Sequence, residues 1–141
     1  MNYYRGINSN DYGPLPFATN VEQEAKRNQS FRTALWTGSN LQMTVMCIPA
    51  RGETGLEIHR DTDQLVSVEE GQGLVKIGNY KERLDFQQHL CAGDSVFIPA
   101  GVWYNIINAG KSPLRLSSVY APPAHSRGTV HRTKADDRGI C

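Results

Sequence analysis

The amino-acid sequence predicts an all-β fold. From residue 41 onward, short runs rich in strand-forming residues follow one another at spacings of roughly 8–12 residues. Turns that contain glycine or proline separate these runs, and after Phe31 no stretch of convincing length has the helical period. This pattern is typical of a sandwich or barrel and not of alternating β-α-β units.

The individual strands are predicted from these runs. The first, LQMTVMCI at residues 41–48, alternates along the chain and ends at Pro49, which is disfavoured inside a sheet. The others follow in order: QLVSVEE (64–70), GLVKIG (73–78), RLDFQQHL (83–90), SVFIP (95–99), VWYNIIN (102–108) and PLRLSSVY (113–120). A chain of 141 residues suits one domain, and we place its barrel at residues 31–122.

Polar segments flank the predicted strands. Residues 1–30 contain Pro14 and Pro16 and offer at most a short helical turn at Val21–Asn28, which has almost no apolar face. We expect this segment to be an arm that lies over another part of the molecule. Residues 123–141 are polar, and we expect them to leave the barrel as a C-terminal tail.

The composition argues against several classes of partner. The net charge is +1 and no block of Lys and Arg stands out, so we expect no nucleic-acid partner. No apolar run approaches the roughly 20 residues that a bilayer crossing needs, so we expect no membrane partner. The three cysteines lack a C-x-x-C spacing and no secretory signal is visible, which predicts a cytoplasmic protein with reduced thiols.

Two motifs resemble the signature motifs of the cupin superfamily, G(X)5HXH(X)3-4E(X)6G and G(X)5PXG(X)2H(X)3N. They occur here in the same order, as Glu57-x-His59-x4-Gln64-x6-Gly71 and as Gly93-x5-Pro99-x-Gly101-x2-Tyr104-x3-Asn108. Segments such as FRTALWTG, VEEGQG and YAPPAHSRGTVHRTKAD are also similar to small single-domain bacterial cupins, which are often labelled mannose-6-phosphate isomerase-like. The resemblance implies a double-stranded β-helix, a small jelly-roll barrel that is commonly a homodimer.

The positions of the motif residues agree with such a barrel. Residues two apart on a strand face the same side, so Glu57 and His59 can both point inward. A tight turn would bring Gln64 back beside them, and Tyr104 lies within a later strand. Side chains that converge from three strands at a barrel mouth form a pocket suited to a small ligand.

The resemblance implies a metal site made of Glu57, His59, Gln64 and Tyr104. Glu57 and His59 match the first two histidines of the family, Gln64 matches its glutamate, and Tyr104 replaces its last histidine. Such a set would hold Mn, Fe, Ni or Zn, and its oxygen donors suit the first three better than a structural zinc. A neutral phenol is a poor ligand, so Tyr104 is the main departure. In an enzyme, Glu57 would be the base and Tyr104 the proton donor.

Several alternatives remain open from the sequence. The site could be a metal-free pocket in which Glu57 accepts hydrogen bonds from Tyr104 and Gln64, or the protein could be a structural dimer whose site has decayed. We expect His125 and His131 at the surface or against a partner subunit, although they could fold back and supply an imidazole. The expected ligand is a small polar metabolite, namely a sugar, sugar phosphate or organic acid. The fold does not indicate which type of reaction an enzyme of this kind would catalyse.

Overall fold

The computed structural model describes residues 11–137, and it consists mainly of β-strands. In chain order the elements are α1 (Val21–Arg27), β1 (Arg32–Thr37), β2 (Gln42–Ile48), β3 (Glu57–Ile58), β4 (Asp63–Glu70), β5 (Gln72–Gly78), β6 (Phe86–Cys91), β7 (Ser95–Ile98), β8 (Trp103–Asn108), β9 (Leu114–Ala121), β10 (Val130–His131) and α2 (Lys134–Asp137). Each run that the sequence predicts as a strand contains one, so the all-β prediction is confirmed.

The strands form two antiparallel sheets that enclose the hydrophobic core. One sheet has the order β10-β1-β2-β9-β4-β7, and the other has the order β3-β8-β5-β6. Neighbours in each sheet are often far apart in sequence, because the chain crosses repeatedly between the two sheets. This is the double-stranded β-helix that the sequence predicts.

The interior of the barrel has a polar end and an apolar end. On the inner face of the six-stranded sheet, Gln42 lies opposite Tyr120 and Tyr120 lies opposite Gln64. The next row places Thr44 opposite Ser118. Beyond these two rows lies the hydrophobic core, which includes Met46, Ile48, Val68, Leu114 and Leu116. Directly opposite residues of an antiparallel pair share a face, so this pairing gathers the buried polar groups at one end.

The N-terminal segment packs on the outside of the six-stranded sheet. Asn20 caps α1 by accepting a hydrogen bond from the backbone of Gln23, and Ala25 on the helix itself is fully buried. Tyr12 and Phe17 stack on each other with ring centroids 4.3 Å apart. The segment therefore lies over the barrel as expected, while residues 1–10 fall outside the described range.

The expectation that the C-terminal segment leaves the barrel is wrong. Strand β10 pairs with β1, with His131 opposite Arg32. The Arg127 side chain donates to the backbone carbonyl of Gly13, and the backbone N–H of Gly128 donates to Asp11 Oδ2 at 2.8 Å. Specific hydrogen bonds hold this segment against the barrel. Because such bonds do not require apolar residues at regular intervals, the sequence pattern gave no sign of them. Neither of the helices in the described part of the chain is long and apolar enough to span a membrane.

Candidate functional site

Three of the four predicted site residues meet at the polar end of the barrel. The pairing of β3 with β8 places Glu57 opposite Tyr104. The buried Tyr104 hydroxyl donates to Glu57 Oε1 at 2.9 Å and lies 3.4 Å from His59 Nε2. His59 Nε2 lies 3.7 Å from Glu57 Oε1, which is longer than a hydrogen bond. The three side chains therefore form one compact cluster.

Gln64 reaches the same end of the barrel from the facing sheet. Its side chain is buried, and its Oε1 atom has no hydrogen-bond partner within residues 11–137. Gln64 lies opposite Tyr120, whose ring contacts the His59 ring edge-on at a centroid distance of 5.6 Å. Tyr120 therefore neighbours both Gln64, across the strand pair, and His59, through its ring.

A buried arginine that is not part of either motif also lies beside the cluster. Arg32 is only 1% exposed, and its Nη2 atom lies 3.7 Å from Glu57 Oε2. Its Nη1 atom lies 3.5 Å from His131 Nδ1. Arg32 belongs to β1, where alternation with the buried Ala34 was the only available signal that it points inward.

The sequence also misplaced two histidines. His131 is buried, and the His125 ring lies 5.9 Å from the His59 ring and 5.1 Å from the Tyr120 ring. The prediction that His125 and His131 lie on the surface is therefore wrong, and the alternative in which they fold back is correct. Only the return of the C-terminal segment over β1 brings them here.

Electrostatic surroundings fix the charge of the central cluster. Burial alone raises the pKa of Glu57, but the close contact with His59, the Arg32 charge and the Tyr104 hydrogen bond together lower it to about 2. Burial, and then the charge of Glu57, raise the pKa of Tyr104 well above its usual range. At neutral pH the cluster therefore contains a carboxylate that accepts from a neutral phenol.

The neighbouring aromatic groups remain uncharged. Burial raises the pKa of Tyr120, although Arg32 and the nearby hydroxyls of Thr44 and Ser118 oppose the shift. None of these three hydroxyls makes a hydrogen bond of acceptable geometry within the described chain. Burial, followed by the charge of Arg32, lowers the pKa of His125 to about 3, so its imidazole is neutral at pH 7.

The four-residue metal set implied by the sequence does not fit as a whole. Tyr104 keeps its proton and directs it at Glu57, which makes the phenol a poor ligand. The Arg32 guanidinium beside Glu57 opposes a second cation at that carboxylate. Within residues 11–137, no group of three or more His, Cys, Asp or Glu side chains is arranged to hold a metal ion. Glu57, His59 and the amide oxygen of Gln64 remain as donors.

A surface groove borders the cluster at Glu57. Glu57 lines a groove of about 590 Å³ together with Glu53, Leu56 and Lys134. This volume is within the range of about 300–1,000 Å³ that is usual for small-molecule sites. The fold and this site define a small barrel with a cluster of polar side chains at one end.

The chain belongs to the cupin family, because residues 44–120, more than half of its length, match the family model described as a cupin domain. It is 48% identical over 132 residues to the uncharacterized protein YrkC of Bacillus subtilis (strain 168), covering 94% of this chain and 71% of that protein. The crystal structure of BH2720 from Bacillus halodurans is 52% identical, with a TM-score of 0.88 and coverage of 89% of this chain and 96% of that one. Protein L612 of Acanthamoeba polyphaga mimivirus is 30% identical over 115 residues, 81% of this chain and 70% of that protein.

Proposed function

We propose that this cupin binds a small neutral hydroxylated metabolite, such as a sugar, at the polar end of its barrel. The observation that carries the proposal is the cluster of Tyr104, Glu57 and His59, together with a buried Gln64 oxygen at the same end of the barrel that has no hydrogen-bond partner within residues 11–137. Buried polar groups are nearly always hydrogen-bonded in folded proteins. A ligand hydroxyl is a suitable partner for the free oxygen of Gln64.

The charges favour a neutral ligand over a sugar phosphate or an organic acid. The carboxylate of Glu57 and the guanidinium of Arg32 lie 3.7 Å apart and offset each other. The imidazole of His125 is uncharged, so it supplies no positive charge for an anion. Sugar hydroxyls can donate to Glu57 and Gln64 and accept from an imidazole N–H, whereas the offset charges of Glu57 and Arg32 give an anion no net attraction.

The same charges favour binding over acid–base catalysis by Glu57 and Tyr104. A carboxyl group whose pKa is about 2 is a weak base at neutral pH. A phenol whose pKa is raised well above its usual range is a weak acid. We therefore infer that these two groups orient a bound hydroxyl, and that the roles of base and proton donor expected from the sequence do not suit them.

Binding can be tested with a panel of neutral and anionic probes. We expect saturation-transfer NMR to detect D-mannose, D-galactose or myo-inositol, and to detect D-mannose 6-phosphate and citrate more weakly. Glu57→Gln removes the acceptor charge and should weaken sugar binding by about tenfold. The matched control is Glu82→Gln, an exposed position in the β5–β6 turn, which should bind as wild type does. Preferential binding of the anionic probes, or of none, would reject the proposal.

A divalent metal ion held by Glu57, His59 and Gln64 is a second candidate. The unpartnered Gln64 oxygen and the ionised Glu57 favour it, since both are hard donors. A bound ion would supply Lewis-acid polarisation of a ligand carbonyl or hydroxyl. In this case elemental analysis should find a metal in the purified protein, and calorimetry with Mn²⁺ should show binding.

Two variants separate this candidate from the hydrogen-bonding site. Tyr104→His supplies an additional nitrogen donor and should tighten Mn²⁺ binding by about 10–100-fold, whereas His59→Ala should abolish it. Absence of Mn²⁺ binding in both wild type and Tyr104→His would leave the metal-free site as the function of the cluster.

A further inference from the structure

His125 reaches the polar end of the barrel from the segment that follows β9. Its ring lies edge-on to the rings of His59 and Tyr120, at centroid distances of 5.9 and 5.1 Å. Its Nε2 atom is buried and has no hydrogen-bond partner within residues 11–137. The imidazole is therefore next to the central cluster with one nitrogen free.

A buried glutamine holds the backbone of His125 in place. Gln42 is fully buried, and its Oε1 atom accepts from the backbone N–H groups of Ala124 at 3.2 Å and His125 at 3.0 Å. Its Nε2 atom donates to the His125 carbonyl at 2.9 Å and to Thr37 Oγ1 at 3.0 Å. Three of these four bonds go to the backbone at and just before His125, so the position of the ring does not depend on its own Nε2 atom.

The support for His125 extends to the N-terminal segment. Thr37 Oγ1 donates to Asp11 Oδ2 at 2.7 Å. Asp11 Oδ2 also accepts from the backbone N–H of Gly128. Asp11 thereby connects β1 to the segment that carries His125. The connected side chains of Asp11, Thr37 and Gln42 are bonded to one another and to the backbone, while the imidazole they support is left with an unused polar atom.

We propose that His125 Nε2 hydrogen-bonds a hydroxyl of the ligand that also contacts Glu57 and His59. This inference rests on the proposed function and adds a second wall to the site, made by the C-terminal segment. A neutral imidazole either donates or accepts through Nε2, depending on its tautomer, and a hydroxyl does both. The neutral imidazole of His125 therefore suits a sugar hydroxyl as a partner and gives no preference for an anion.

The test compares His125→Phe with His125→Gln. Phenylalanine keeps an aromatic ring against His59 and Tyr120 but removes the nitrogen, so sugar affinity should fall by about tenfold. Glutamine places an amide nitrogen near the position of Nε2 and should restore most of that affinity. His89→Phe, at an exposed position of β6, controls for the substitution itself and should leave affinity unchanged.

Thermal unfolding without ligand separates this role from a structural one. Removing a polar atom that has no partner should leave the melting temperature of His125→Phe unchanged or raise it. Unchanged sugar affinity in His125→Phe, or a melting temperature several degrees lower, would overturn the inference. If wild type binds no sugar, the proposed function fails, and the melting temperature still decides whether Nε2 has a bonding role within the fold.

Discussion

The hydroxyl of Tyr104 should contribute measurably to stability, because it donates to a largely buried carboxylate. Tyr104→Phe leaves the ring in place and removes the bond to Glu57 Oε1. Hydrogen bonds to charged groups are worth about 1.5–3 kcal/mol, so we expect the free energy of unfolding at pH 7 to fall by about 2 kcal/mol. In a domain of this size, such a loss lowers the melting temperature by roughly 6–8 °C.

Tyr120→Phe is the matched control for this substitution. Tyr120 is also a fully buried tyrosine at the polar end, but its hydroxyl makes no hydrogen bond within the described chain. We expect its removal to change the free energy of unfolding by no more than about 0.5 kcal/mol, or to stabilise the protein. Urea unfolding followed by circular dichroism measures both variants. Equal losses in the two, or no loss in Tyr104→Phe, would refute the reasoning.

The pH dependence of the same variant follows from Glu57. Its pKa is lowered from 4.5 to about 2 in the folded protein, so its stabilising contribution is present above about pH 4.5 and is lost as pH falls through about 2. The difference corresponds to about 3 kcal/mol. Tyr104→Phe removes one group that lowers the pKa of Glu57, so the variant should lose less stability than wild type between about pH 4.5 and 2. Equal losses over this pH range would contradict this account.

Three further predictions concern the ends of the chain and the assembly. Asp11→Ala should lower the free energy of unfolding by about 3 kcal/mol or more in urea titrations, because it leaves the hydrogen-bond donors of Thr37 and the backbone N–H of Gly128 without their acceptor. A loss below about 1 kcal/mol would contradict this. Deleting residues 128–141 should lower the melting temperature by several degrees, since it removes β10 and the buried His131, and an unchanged value would show that the segment is dispensable. We also expect a homodimer formed through outer strands, with a light-scattering mass of twice 15.7 kDa; a single-chain mass that does not change with concentration would refute it.

The sequence by itself determined the fold class and the location of the candidate site. Strands are local features, so alternation of apolar residues and the intervening glycine and proline turns were enough to find seven of the ten strands within residues 11–137, but not β1, β3 or β10. Spacing within the two motifs fixed which side of each strand a residue faces, and this brought Glu57, His59 and Tyr104 to one end of the barrel. Gln64 reaches that end for the same reason, from the opposite sheet.

The tertiary structure alone decided what that cluster is chemically. Arg32 and His125 reach it from opposite ends of the chain, and the return of the C-terminal segment depends on single hydrogen bonds that have no period in the sequence. The proton of Tyr104 goes to Glu57 because the pairing of β3 with β8 sets these two residues opposite each other. Burial then keeps the phenol of Tyr104 neutral, and the groups around Glu57 keep its carboxylate ionised. Neither protonation state can be deduced from the residue types alone, because each depends on contacts that only the folded chain makes.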